Sequence, residues 1–154
     1  MPYDSECFDV VTAFDVIEHF PEPPFKLLSE MKRILKKNGT LIVSVPNLVS
    51  TARRGRLLLG RHPYMHFEEW ISSSYYGHYR ECTRKEWQII VEKTGFREVK
   101  AFMVNEPTKT KAYNSFHHRK FRKLSLPALG LWALYFLDTI FPGLRSAIYC
   151  TAKK

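Results

Sequence analysis

Cysteine is scarce in this chain: Cys7, Cys82 and Cys150 are widely spaced and odd in number, which excludes a disulfide framework or a Cys-x-x-Cys metal site and points to a reducing, cytosolic setting. Glycine is scarce as well. None of the seven glycines belongs to a Gly-x-Gly-x-x-Gly pattern, so no nucleotide-cradling loop of that kind is written in these residues. Met1 to Asp9 is short, polar and acidic, without the basic and apolar stretches of a secretory leader, and secretion is not expected. The apolar run Leu124 to Phe141 covers about 18 positions and is broken by Pro127, Gly130 and Asp138, short of the roughly 20 apolar residues a spanning helix needs.

Acidic residues are outnumbered, 15 against 24 basic ones, leaving a net charge of +9. Such an excess favours contact with phosphates, anionic lipid headgroups or an acidic substrate without choosing among them. Lys109, Lys111, Arg119, Lys120, Arg122 and Lys123 crowd just before the apolar run, which makes 109–141 a candidate for peripheral membrane contact; the alternative is an apolar helix packed on a sheet. Nucleic acid ranks lower. Arg53, Arg54 and Arg56 and the basic cluster are interleaved with aromatics, but no RRM, KH or zinc pattern accompanies them.

What is present suits one globular domain of 154 residues, 45% apolar and 25% charged. Phe8 to Phe14 is a β-branched and aromatic run without alternation, which predicts a central, parallel strand buried on both faces. Pro21-Glu22-Pro23-Pro24 predicts a helix start. Leu27, Leu28, Met31, Ile34 and Leu35 recur at helical spacing, basic residues load the last turn, and Asn38-Gly39 should stop the helix. Thr40 to Val45 reads as a second buried strand closed by Pro46-Asn47, so the two strands form a βαβ unit with a shared carboxyl edge. Ligands bind at that edge in open α/β sheets.

Residues 48–82 are irregular, basic and aromatic, with Tyr64, Phe67, Trp70, Tyr75, Tyr76 and Tyr79, and read as a lid or acceptor-side insertion. Thr83-Arg-Lys-Glu has the spacing of a capping box, Trp87, Ile90 and Val91 give an apolar face, and Gly95 is the expected stop. Phe96 to Val104 and Ala147 to Ala152 read as strands, separated by a basic-plus-apolar insertion within 105–144.

FDVVTAFDVIEHFPEP, the helix ending in LKKNG, TLIVSVPN and HYRECTRKEWQIIVEKTGF, in this order and spacing over residues 3 to 104, resemble the class I S-adenosylmethionine-dependent methyltransferases of the ubiquinone-biosynthesis and small-molecule type. The resemblance implies an α/β fold with a Rossmann-like sheet. These pieces look like the family's fourth to sixth strands with flanking helices, and 147–152 like its seventh, so 1–154 is expected to be an N-terminally truncated domain. It implies S-adenosylmethionine as cofactor and methyl transfer to a small-molecule or lipid-like acceptor at an oxygen, nitrogen or carbon atom. The family's glycine-rich loop, and the acid that holds the ribose, would fall before Met1. This chain alone is therefore expected to bind the cofactor poorly and to need a partner chain or further segment. A non-catalytic module that keeps half the fold and binds a membrane surface or a partner is the second hypothesis.

By resemblance the turn after Phe14 faces the cofactor's methionine end and the acceptor, so Phe14 and Asp15 are the candidate cofactor contacts and His19 the candidate base. Transfer to a hydroxyl or amine needs proton removal, and imidazole titrates near neutral pH. The ordinary alternative is that His19 caps the next helix or bonds a carbonyl. Asn47, His78 and Arg80 are candidate acceptor contacts at the carboxyl edge, against ordinary loop hydrogen bonding. No metal is the primary expectation. Asp15, Glu18 and His19 at i, i+3, i+4 are the alternative ligand set, since some quinone-type relatives use a similar turn for a divalent ion.

Overall fold

The structure is a computed structural model and describes residues 1–63, 77–105 and 136–154. Its four strands, β1 (Phe8–Phe14), β2 (Leu35–Pro46), β3 (Arg97–Val104) and β4 (Ala147–Lys153), form one sheet in the order β1-β2-β4-β3. β1 and β2 run parallel around helix α1 (Phe25–Ile34), the expected βαβ unit, and β4 is antiparallel to both of its neighbours. The described residues also include helices α2 (Thr51–Leu58) and α3 (Arg84–Lys93), besides the helical residues 136–140.

One face of the sheet carries the core. The register aligns Ala13, Val43, Cys150 and Ala101 across it. Leu28 and Met31 of α1 and Trp87 and Val91 of α3 are buried in the same cluster; each large apolar side chain so buried contributes about 1.5–3 kcal/mol. The neighbouring row is Phe14, Ser44, Tyr149 and Phe102 on the opposite face. Tyr149 lies 6.0 Å from the Phe14 ring and 6.2 Å from that of Phe102, and Phe14 and Phe102 are 49% and 48% exposed.

β1 therefore departs from the sequence expectation. It is parallel, but it stands at an edge of the described sheet rather than at its centre, and Val10 as well as Phe14 is half exposed. Helix α1 is also shorter than the pattern implies. It begins at Phe25, with Pro24 already in helical backbone at the cap, and ends at Ile34. Leu35 keeps the apolar spacing but is extended, φ −69° and ψ 137°, and its side chain enters the core as the first residue of β2. Phe8 pairs with Leu35 and Val10 with Thr40, so Lys36 to Gly39 bulge opposite Asp9. Asn38 sits at φ 62° in this bulge, and Lys36 holds the Asp9 carboxylate at 2.9 Å.

Helix α3 follows its sequence signals. The Thr83 hydroxyl accepts from the Glu86 N–H while the Glu86 carboxylate accepts from the Thr83 N–H. Gly95 stops the helix at φ 84°, and Lys32 of α1 donates to its carbonyl at 2.6 Å, tying the two helices together. Of the apolar run before β4, only 136–141 is described. Residues 136–140 are helical; Asp138 is wholly buried, accepting from the Thr51 hydroxyl at 2.5 Å, while Phe136, Ile140 and Phe141 are about half exposed. No helix among the described residues is long and apolar enough to cross a membrane. The basic cluster 109–123 and the aromatics Tyr64 to Tyr76 lie outside the described residues.

Candidate functional site

The carboxyl ends of β1 and β2 lie side by side, and three short pieces of backbone converge on them. Asp15 follows β1 with φ 52°, its N–H bonded to the Ser44 carbonyl and its carboxylate accepting from the Ser44 hydroxyl at 2.9 Å. A single 3-10 turn, Ile17–His19, comes next and buries Ile17 and Glu18 while leaving His19 partly exposed. The third piece, residues 77–82, is strapped down at both ends. Tyr79 N–H donates to the Glu18 carbonyl at 2.8 Å, and Leu48 N–H donates to the Cys82 carbonyl at 3.2 Å beside the Asn47–Cys82 bridge.

This strap brings His78 to the turn. The His19 and His78 rings meet edge to face with centroids 4.7 Å apart, and the Nε2 of each lies 3.9 Å from Glu18 Oε1. His78 Nδ1 donates to Glu81 Oε1 at 2.5 Å; the Arg53 guanidinium approaches the same oxygen at 2.6 Å, so that oxygen is the acceptor in both contacts. The Glu18 and Glu81 side chains are almost fully buried. Both Glu18 oxygens and Glu81 Oε2 have no hydrogen-bond partner. Burial pushes the Glu18 carboxyl above its ordinary range, and neighbouring Asp15 adds to the effect; its own backbone N–H and the two histidines pull the other way.

Beside this cluster opens a cleft of about 530 Å³ lined by Glu18, Phe20, Tyr79, Arg80, Trp87 and Ile90 among others, within the size range of small-molecule sites. Trp87 contributes an indole N–H that is buried without a partner.

Of the residues picked from the sequence, Glu18, His19 and His78 come together. Phe14 and Asp15 lie at the same edge on the open face of the sheet. Asn47 is wholly buried, its amide donating to the Arg145 and Gly143 carbonyls and accepting from Val49 N–H. Arg80 is exposed and paired with Glu86 at 3.1 Å. Glu81 was not among the candidates, although its i, i+3 spacing from His78 within HYRE is a signal that could have found it. Arg53 stood out only as charge, because its pairing with Glu81 depends on how α2 is placed.

The family described as Methyltransferase domain matches residues 2–101. The chain is 37% identical over 49 residues to the ubiquinone biosynthesis O-methyltransferase of Glaesserella parasuis, covering 32% of this chain and 20% of that protein. Among solved structures it is similar to a SAM-dependent methyltransferase from Archaeoglobus fulgidus, with TM-score 0.54 and 22% identity, covering 97% of this chain and 61% of that one. It is also similar to phosphoethanolamine N-methyltransferase 2 of Haemonchus contortus in complex with S-adenosyl-L-methionine, with TM-score 0.56 and 21% identity, covering 99% of this chain and 34% of that one. The chain thus spans less than two thirds of each of these proteins. The two structural likenesses establish the Rossmann-like α/β fold.

Proposed function

The chain belongs to the methyltransferase-domain family, and from that premise we propose that it supplies the acceptor side of an S-adenosylmethionine-dependent methyl transfer to a small-molecule or lipid-like acceptor. The observation that carries the reading is the convergence of the Asp15–His19 turn and the His78 strap at the carboxyl edge of two parallel strands, beside an apolar cleft.

The residues present fit one side of the cofactor. Phe14 and Asp15 offer an exposed ring and carboxylate at the strand edge, suited to the methionine end. For the role of the glycine-rich loop that approaches the cofactor, none of the seven glycines is suitably spaced. Bound S-adenosylmethionine would supply an electrophilic sulfonium methyl. The chemistry it would supply is displacement at that methyl with the sulfur as leaving group, and the His19 imidazole would take the proton that the acceptor gives up. The cleft walls, Phe20, Tyr79 and Ile90, would hold an apolar acceptor and keep water away. Alignment of acceptor, methyl and sulfur dominates the barrier of such a displacement. A lipid-like acceptor is favoured by the half-exposed Phe136, Ile140 and Phe141 beside α2, whose polar neighbour Asp138 is turned inward.

Titration calorimetry of the full chain with S-adenosylhomocysteine tests the reading. Weak binding in the millimolar range, lost in Asp15→Ala, is expected. Absence of heat at several-fold millimolar ligand would overturn it for this chain.

A further inference from the structure

Between Asn47 and Pro63 the sequence holds four arginines, no acid and three consecutive leucines, Leu57 to Leu59. The first turn of α2 is tied down: the Thr51 hydroxyl donates to Asp138 at 2.5 Å, and Arg53 pairs with Glu81. Its last turn projects. Leu57, Leu58 and Leu59 are 57%, 87% and 73% exposed, and because successive helical residues point about 100° apart, the helix end is bare over much of its circumference. Single exposed leucines are ordinary, but three in succession at one tip are a liability unless they contact something. We infer that this tip inserts into the headgroup boundary of an anionic bilayer, with the leucines in the apolar layer and Arg54 and Arg61 at the lipid phosphates.

The backbone of the tip is suited to an apolar layer. Gly60 turns the chain at φ 67°, its N–H donates to the Leu57 carbonyl at 2.9 Å, and Arg61 N–H donates to the Arg56 carbonyl at 2.8 Å. Two carbonyls that a helix end ordinarily leaves open are thus taken up within the tip, which lowers the cost of bringing it out of water. The charge is placed to match. Arg54 is exposed one turn before Leu58 on the same side of α2, and Arg61 is exposed just past the turn. Long arginine stems let the guanidinium groups stay among headgroups while the leucines go deeper.

Charge also selects the occupant. Two copies meeting tip to tip would set arginines against arginines, with no acid between residues 47 and 63 to offset them. An anionic leaflet complements the same residues, and the net charge of +9 draws the chain towards it. Phe136, Ile140 and Phe141 form a second half-exposed apolar group on the segment that Thr51 binds through Asp138; two such groups on linked segments suit a broad layer better than a single socket. At eight residues α2 is too short to cross a bilayer, so the contact is interfacial. The surface lies in 54–61, not in the 109–141 stretch to which the sequence pointed. Binding of this kind needs neither cofactor nor methyl acceptor and is independent of the methyl-transfer reading.

The test is cosedimentation of the full chain with vesicles, without any methyl donor, comparing phosphatidylcholine alone with phosphatidylcholine containing about one third phosphatidylglycerol. Binding to the anionic vesicles that weakens as salt is added, and little binding to the neutral ones, is expected. Leu58→Ser combined with Leu59→Ser should lower the partition coefficient at least about tenfold, and Arg54→Gln and Arg61→Gln about fivefold each. Thermal melts should stay unchanged, because all four side chains are exposed. Should the leucine variant melt early, the arginine variants carry the test. No binding, equal binding to both vesicles, or binding that survives all four substitutions, as attachment through 109–123 alone would, overturns the assignment. So does a wild-type chain that is dimeric in solution and becomes monomeric on the leucine substitutions, which would give the tip to a second copy.

Discussion

The side-chain amide of Asn47 donates to the Arg145 carbonyl at 2.7 Å across the end of the sheet, where β2 leaves and β4 enters. A second donor contact reaches the Gly143 carbonyl at 3.3 Å, and Oδ1 takes the Val49 N–H at 3.1 Å. Each buried group left without its partner costs about 1–3 kcal/mol. Asn47→Ala is therefore expected to lose about 2–4 kcal/mol in urea unfolding, allowing for relaxation. An unchanged midpoint would return Asn47 to the role of an acceptor contact.

Acid should act through the cap of α3. The Thr83 backbone N–H and hydroxyl, with help from Arg80, hold the Glu86 carboxyl below its ordinary range. A group depressed on folding stabilises the protein above its unfolded pKa, and the contribution disappears as pH falls through the folded value. Glu86→Gln should thus flatten the loss of stability that the wild type shows below about pH 4. Glu30, held at about 2 by Arg33 and the N-terminal ammonium, loses its own contribution over the same descent and down to that value. At neutral pH Thr83→Ala should cost about 1 kcal/mol. Thermal melts of the three proteins from pH 3 to 7, a range set by the ordinary carboxylate value, check both statements. Parallel acid limbs in wild type and Glu86→Gln would count against the cap's role.

Local signals carried most of the fold. The capping box Thr83–Glu86, the stop at Gly95 and the apolar runs of β1 and β2 are set by contacts a few residues apart, and each appears where its pattern puts it. The errors lie where two patterns share a residue. Leu35 satisfies both a helical stripe and a strand facing the core, and only the pairing of Phe8 with Leu35 decides between them. Half of the site was legible for the same reason. Glu18 and His19 are neighbours on one turn, whereas His78 reaches them through backbone bonds from Tyr79 to Glu18 and from Leu48 to Cys82, long-range closures that no local spacing encodes. Asn47 shows the converse: its place after a strand suggested a ligand contact, but its amide is consumed in joining strand ends.

The bulge at Lys36–Gly39 offers a direct check on where α1 ends and β2 begins. A Cβ on Gly39 would meet the Leu35 Cδ2 and the Lys36 carbonyl oxygen at 2.9 Å and the Asp9 carbonyl oxygen at 3.2 Å. Two of these are backbone atoms rather than the far end of a flexible side chain, so relief requires the chain itself to shift. Gly39→Ala is expected to cost about 1–3 kcal/mol, as overpacking does. Asn38 differs, because its constraint is the positive φ of 62° rather than space. Asn38→Gly accepts that backbone without strain and loses only the exposed contact from Arg97, so its stability should stay within about 0.5 kcal/mol of wild type. Had the helix run on to Asn38 with Gly39 as its C-terminal stop, alanine at 39 would suffer from the left-handed backbone and glycine at 38 from its poor helix propensity of about 1 kcal/mol. Equal losses in the two variants would thus favour the longer helix, and a loss confined to Gly39→Ala the bulge.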